Sequence, residues 1–161
     1  MDATSNGETG GTTQATVERR SDRELVVTRW FDAPARLVFE AWSNAELFQR
    51  WWVPRSLGME LHDCEMDVRT GGTYRLNFGP GMDFFGRYLE VEAPTRIVWT
   101  NEEGGEEGSV TTVTFEERDG RTLLTMSELF PSKEAFEAGA GATDAIDETF
   151  TQLDEVLRSR P

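Results

Sequence analysis

Three runs decide how the front half of this chain folds: Phe31-Asp32-Ala33-Pro34, then Trp51-Trp52-Val53-Pro54, then Asp67-Val68-Arg69-Thr70-Gly71-Gly72. Just before the first, Leu25, Val26, Val27, Thr28, Trp30 and Phe31 have the β-branched and aromatic composition of a strand. Pro34 fixes φ and lacks an N–H, which suits a first helical turn. Asp32 is placed to cap that turn, and Leu37, Val38, Ala41 and Trp42 follow at helical spacing. Ser43 with Glu46 reads as a capping box before Leu47, Phe48, Trp51 and Trp52, a second short helix that Pro54 stops. The third run carries a strand into a glycine turn.

Beyond Leu57 the pattern is β. Met59 to Val68, Thr73 to Phe78, Met82 to Val91, Arg96 to Asn101, Ser109 to Glu117 and Arg121 to Leu129 are six strands in meander order, separated by Gly, Pro or acidic turn residues. Asp119-Gly120 is the clearest hairpin signal, because glycine supplies the positive φ of such turns. Helical spacing returns after Ser132 and then runs through Ile146, Phe150, Leu153 and Leu157. Gly139 and Gly141 each disfavour a helix interior by about 1 kcal/mol relative to Ala, so a kink or break is expected there. The fold class is therefore α+β: an antiparallel sheet of six to seven strands, two short helices after the first strand, and a long C-terminal helix over one face. Residues 1–22, rich in Gly, Thr, Ser and Asn, bury too little to offset the entropy of ordering them and read as a flexible tail; residues 23–158 form one domain.

Composition bounds the function. The chain has 161 residues and a formal charge of −14 at pH 7, which repels phosphate backbones, so nucleic acid is not an expected partner. Ten Phe and five Trp supply core material, each ring burying about 150–250 Å² when enclosed. Cys64 is alone, which excludes an intrachain disulfide and multi-cysteine zinc patterns. No segment is apolar over the roughly 18 residues that spanning a bilayer needs, and no signal peptide is recognisable. A cytoplasmic monomer is the expectation.

The quoted runs, together with Val38-Phe39, Gly86-Arg87-Tyr88-Leu89-Glu90-Val91 and the closing Leu153 to Leu157, resemble the START-like (SRPBCC) helix-grip superfamily. Within it, the chain resembles the group related to the C-terminal domain of the activator of Hsp90 ATPase. The resemblance implies a curved sheet gripping the terminal helix, with a cavity between them. It departs at Ala145-Ile146, where many relatives carry Gly-Trp, a change that reshapes the expected cavity. An Hsp90-type chaperone becomes a partner to consider. Stimulation of its ATPase is not implied, because the activator relies on an additional N-terminal domain that a 22-residue tail does not supply.

Trp51, Trp52, Phe84, Phe85, Tyr88, Trp99, Met126, Ile146 and Phe150 are the candidate ligand-lining residues; they line a pocket or simply fill the core. Glu128 shares parity with Leu124 and Met126, and an inward carboxylate with a raised pKa would suit general acid work, with His62 as its weak companion. Arg75 and Arg87 either anchor an anionic group or lie on the solvated face. His62 and Cys64 share a strand face, but two ligands do not make a zinc site, and no metal is expected. Neither a nucleophile elbow nor a phosphate-cradling glycine motif is present, so no nucleotide cofactor is indicated. Glu102, Glu103, Glu106 and Glu107 around Gly104-Gly105 read as a solvated hairpin tip. The leading expectation is a non-catalytic protein binding a small hydrophobic or aromatic molecule. A cyclase-, dehydratase- or hydrolase-like enzyme using Glu128 and His62, and a chaperone-linked interaction module, are the alternatives.

Overall fold

The computed structural model describes residues 15–58, 60–102, 108–139 and 146–159. Its strands are β1 (Thr16–Arg19), β2 (Glu24–Phe31), β3 (Asp63–Met66), β4 (Thr73–Asn77), β5 (Asp83–Glu92), β6 (Arg96–Thr100), β7 (Val110–Arg118) and β8 (Arg121–Leu129). The helices are α1 (Ala35–Ser43), α2 (Ala45–Phe48), α3 (Lys133–Gly139) and α4 (Ile146–Arg158), with a 3-10 turn at Arg55–Leu57. One antiparallel sheet runs β1-β2-β8-β7-β6-β5-β4-β3, so the first long strand pairs with the last and β3 to β8 follow as a meander. With α4 over one face, this is the expected α+β helix-grip architecture.

The inner face of the sheet carries Val27, Phe31, Ile97, Val113, Phe115 and Leu124, all nearly sealed from solvent. Against them pack Leu37, Val38, Ala41 and Trp42 of α1 and Phe150, Leu153, Val156 and Leu157 of α4. Enclosing one such aliphatic or aromatic side chain contributes about 1.5–3 kcal/mol. Phe150 meets Phe31 edge-on at 5.4 Å. Beside it the Arg29 guanidinium donates to both oxygens of Asp154 at 3.0 and 2.7 Å, tying α4 to β2.

Several local expectations change. Thr16–Arg19, inside the segment read as tail, is an edge strand on β2. All four residues are exposed, so no burial pattern marks them; backbone pairing with β2 holds them, helped by Arg19, which pairs with Glu137 and lies over the Phe136 ring. Asp32 does not cap α1: Pro34 stands at the N-cap position, and the Glu117 carboxylate accepts from the Ala35 N–H at 2.9 Å. For α2 the cap is Asn44, one residue after Ser43, whose side chain accepts from Leu47 N–H. Asp119 and Gly120 have φ of 54° and 80°, the paired positive values of a type I′ hairpin, and close β7 onto β8 as read from the sequence. Helix α3 ends at Gly139 and α4 begins at Ile146, while Gly141 and Ala145 lie outside the described residues.

Candidate ligand site

Residues opposite one another in an antiparallel ladder point to the same face. Following the register across the sheet, Tyr88 stands opposite Trp99, Trp99 opposite Thr111, Thr111 opposite Glu128, and Glu128 opposite Leu25. Leu25 shares strand parity with the inward Val27 and Arg29, so the row lies on the inner face. Tyr88, Trp99 and Thr111 are 5%, 9% and 4% exposed, and Glu128 is half-buried.

The polar tips in and beside this row divide into two sets. Glu128 accepts from the Ser109 hydroxyl at 2.6 Å. Asn101 Nδ2 donates to Ser109 Oγ at 3.0 Å and to Thr111 Oγ1 at 3.1 Å, and its Oδ1 receives the Tyr74 hydroxyl at 3.2 Å. Tyr74 also donates to the Thr100 carbonyl at 2.8 Å. A hydrogen-bonded chain thus crosses from β8 to β4. The Tyr88 hydroxyl and the Trp99 indole N–H, by contrast, bond to no described residue, and since Trp42 Nε1 alone is fully enclosed without a partner among the described residues, both tips are open to solvent.

Gly86 makes the Tyr74 contact achievable, since an added Cβ would stand 1.9 Å from the Thr100 oxygen and 2.9 Å from Tyr74 Cε1. Next to Trp99 lies an aromatic cluster centred on Trp42, whose ring is 4.8 Å from Trp51 and 5.9 Å from both Trp52 and Trp99. Trp42 Nε1 is fully enclosed without a partner and is surrounded by ring edges and faces.

The sequence candidates separate accordingly. Tyr88, Trp99 and Glu128 come together in the row; Met126 lies half-buried on the same face one register position away, opposite Val27 and Val113. Trp52 and Ile146 are half-buried at the edge of the core. Trp51 is fully enclosed and donates to the Ala41 carbonyl at 2.9 Å, so it serves the core, as does Phe150. Phe84 is on the inner side of β5 but 40% exposed, and it packs on Phe78. Phe85 stands opposite the exposed Arg75 on the outer face, away from the row. Arg75 and Arg87 are on that outer face too, paired with Asp83 and Glu102. His62 is exposed before edge strand β3, with β4 to β7 between it and Glu128, so the structure does not bring that pair together. Of the acidic hairpin tip only Glu102 is described; Glu103, Gly104, Gly105, Glu106 and Glu107 lie outside the described residues.

The sequence reading missed Tyr74, Asn101, Ser109 and Thr111. A signal existed: Ser109 and Thr111 share parity with Val113 and Phe115, which places hydroxyls on a core-facing strand side. Tyr88 and Cys64 are both shifted toward their neutral forms. Burial, with the nearby Cys64 and Asp67 charges, holds the Tyr88 phenol above its ordinary range. Burial, then Asp63, pushes the Cys64 thiol up to about 11, so it is protonated near neutrality. Among the described residues, no three His, Cys, Asp or Glu side chains gather as a metal site, and no helix is long and apolar enough to cross a membrane.

Residues 32–158 match the family model described as activator of Hsp90 ATPase homolog 1-like protein. The chain belongs to this family. Solved structures agree at the level of fold. A Rhodobacter sphaeroides protein superimposes with a TM-score of 0.81 at 23% identity, covering 92% of this chain and 100% of its own. One from Mycobacterium smegmatis gives 0.75 at 23%, with 91% and 99% covered, and one from Staphylococcus epidermidis gives 0.70 at 27%, with 91% and 95% covered. No curated protein matches the sequence significantly.

Proposed function

We propose that this chain is a non-catalytic binding protein that holds a small hydrophobic or aromatic molecule between the inner face of the sheet and α4. The observation that carries the reading is the row Tyr88, Trp99, Thr111 and Glu128: four polar-tipped residues side by side on a face that is otherwise core. Such a face is costly to build unless its polar atoms have partners, and small-molecule sites combine apolar walls with a few placed polar groups. Met126, Trp52 and Ile146, half-buried around the core margin, supply apolar surface. The enzymatic alternative requires Glu128 and His62 to reach one substrate, and four strands stand between them.

The test is a screen of lipids and aromatic compounds by tryptophan fluorescence and amide chemical shifts. Binding should move Trp99 and the Met126 and Ile146 amides. If no compound perturbs the inner face at millimolar concentration, the reading fails. An Hsp90-type partner is the second reading, favoured by the family match and by the exposed Met82, Phe84, Phe85 and Leu89, each 40–45% accessible. It requires co-purification with such a chaperone or a changed ATPase rate, and neither effect would leave it without support.

A further inference from the structure

We propose that the tip of the β4–β5 hairpin, Phe78 to Phe85, docks the protein onto a zwitterionic lipid surface, with apolar side chains entering the interface from both faces of the hairpin. This goes beyond the binding reading above and does not depend on it.

The tip reads Phe78-Gly79-Pro80-Gly81-Met82-Asp83-Phe84-Phe85, and Asp83 is its one charged residue. Met82, Phe84 and Phe85 are 43%, 40% and 41% exposed. Phe84 stands opposite Leu76 on the inner face, and Phe85 stands opposite Arg75 on the outer face. Phe78 backs the first of them, its ring 5.4 Å from that of Phe84. Consecutive aromatic side chains are therefore bared on the two sides of one ribbon. A protein surface seated on one side leaves the other in water, whereas a lipid interface closes around both and takes apolar side chains into the boundary between headgroups and acyl chains.

Area and charge both favour lipid over a protein. Each Phe offers about 60–100 Å², two-fifths of the area that such a ring buries when enclosed. With Met82 the tip offers about 200–300 Å², against about 800 Å² per partner in a stable protein interface. The one acidic group is balanced: Asp83 accepts from Asn77 Nδ2 at 2.6 Å and pairs with Arg75 at 3.1 Å. The surroundings are acidic, since the chain carries a net −14, the Phe85 carbonyl accepts from the Glu102 N–H, and Glu103, Glu106 and Glu107 follow in the sequence. A second copy or an anionic membrane is repelled by that charge, while a net-neutral headgroup layer meets a net-neutral tip.

The test is flotation of the full chain with large phosphatidylcholine vesicles at millimolar lipid, joined to amide spectra in phosphatidylcholine bicelles that carry a spin-labelled lipid. The chain should float with the vesicles whatever the salt concentration, and the amides of residues 78–85 should lose intensity before those of α4. Phe84→Ser and Phe85→Ser should each weaken binding about tenfold, the share of one partly exposed ring. Val17→Ser, 46% exposed at the other edge of the sheet, should leave it unchanged. Replacing a third of the lipid by phosphatidylglycerol should weaken it. Absence of flotation, or spin-label broadening centred away from residues 78–85, overturns the proposal, and the spectra of the unaltered chain decide this even where Phe84→Ser fails to fold. Loss in only one of the two Phe variants overturns two-sided insertion and points to a protein seated on one face, an Hsp90-type partner included. Tighter binding with phosphatidylglycerol overturns the choice of a zwitterionic surface. Because the experiment uses no small ligand, its failure leaves the binding reading standing.

Discussion

The pair Arg29–Asp154 offers the sharpest test of how α4 is held. The Arg29 side chain is 3% exposed and Asp154 is 17% exposed, with two short hydrogen bonds between them. The guanidinium also lies 4.6 Å over the Phe31 ring and 6.0 Å from that of Phe150. Asp154→Leu removes the bidentate partner of a guanidinium that is only 3% exposed, and breaking a buried pair from one side costs about 3–5 kcal/mol. For a domain of this size that is a fall in melting temperature of about 6–20 °C. Arg29→Met leaves Asp154, which water can still reach, and should cost less, about 1–3 kcal/mol. The double variant removes both charges and places apolar groups together, so it should lie within about 1–2 kcal/mol of the original chain. Urea unfolding with unchanged m-values measures all four corners of the cycle. If Asp154→Leu costs less than Arg29→Met, or the double variant equals the sum of the singles, the argument from desolvation is refuted.

Three further outcomes follow from particular contacts. Gln152, 3% exposed on α4, donates to the Trp51 and Val53 carbonyls at 2.9 Å and accepts from Arg55 N–H, so Gln152→Leu should cost about 2–4 kcal/mol by urea unfolding, and a loss under about 1 kcal/mol would show that water replaces it. Gly86→Ala drives a Cβ onto the Thr100 oxygen, and overpacking of that kind costs about 1–3 kcal/mol or more; unchanged stability with the Tyr74–Thr100 contact intact would contradict the geometry. Glu148 accepts from Ser56 Oγ and N–H, and Glu155 pairs with Arg55; these contacts hold both carboxyls below the ordinary 4.5. Stabilisation from such depressed groups is complete above 4.5 and fades as pH drops through the lowered folded values, so the Ser56 amide resonance should titrate in acid before global unfolding. A resonance that stays flat from neutrality to the acid unfolding midpoint counts against the contact.

Much of the fold was legible because its signals are local. Pro34 and Pro54 bracket the two short helices, Asp119-Gly120 dictates a hairpin whatever its surroundings, and Phe150, Leu153 and Leu157 repeat at helical spacing on one face of α4. Apart from the α2 cap, which moves one residue from Ser43 to Asn44, the failures in the helices and strands are cases in which a distant group replaces a local one. Asp32 is a plausible cap by spacing, yet the N–H it would satisfy is taken by Glu117, brought there by β7. The Thr16–Arg19 strand has no inward side chains to announce it and exists because β2 offers an unpaired edge.

The site was legible in residue type and not in arrangement, and β5 shows why. Alternation along a strand assigns faces only while the register is unbroken. At Tyr88/Glu90 the pairing with β6 shifts, so that Tyr88 faces inward opposite Trp99 while the next inward residue is Val91, opposite Ile97, and not Glu90. Counting from Phe84 reaches Tyr88 correctly and then goes wrong, and nothing in Leu89 distinguishes the residue that is looped out. The same limit separates the two tyrosines. Tyr74 and Tyr88 share the inner face and lie in contact, but one hydroxyl is consumed because Gly86 lets its ring approach the Thr100 carbonyl, and the other is not. A sequence pattern encodes which side a residue faces. Whether its polar atom is already occupied depends on backbone spacing two strands away, as the Thr100 carbonyl opposite Gly86 shows for Tyr74.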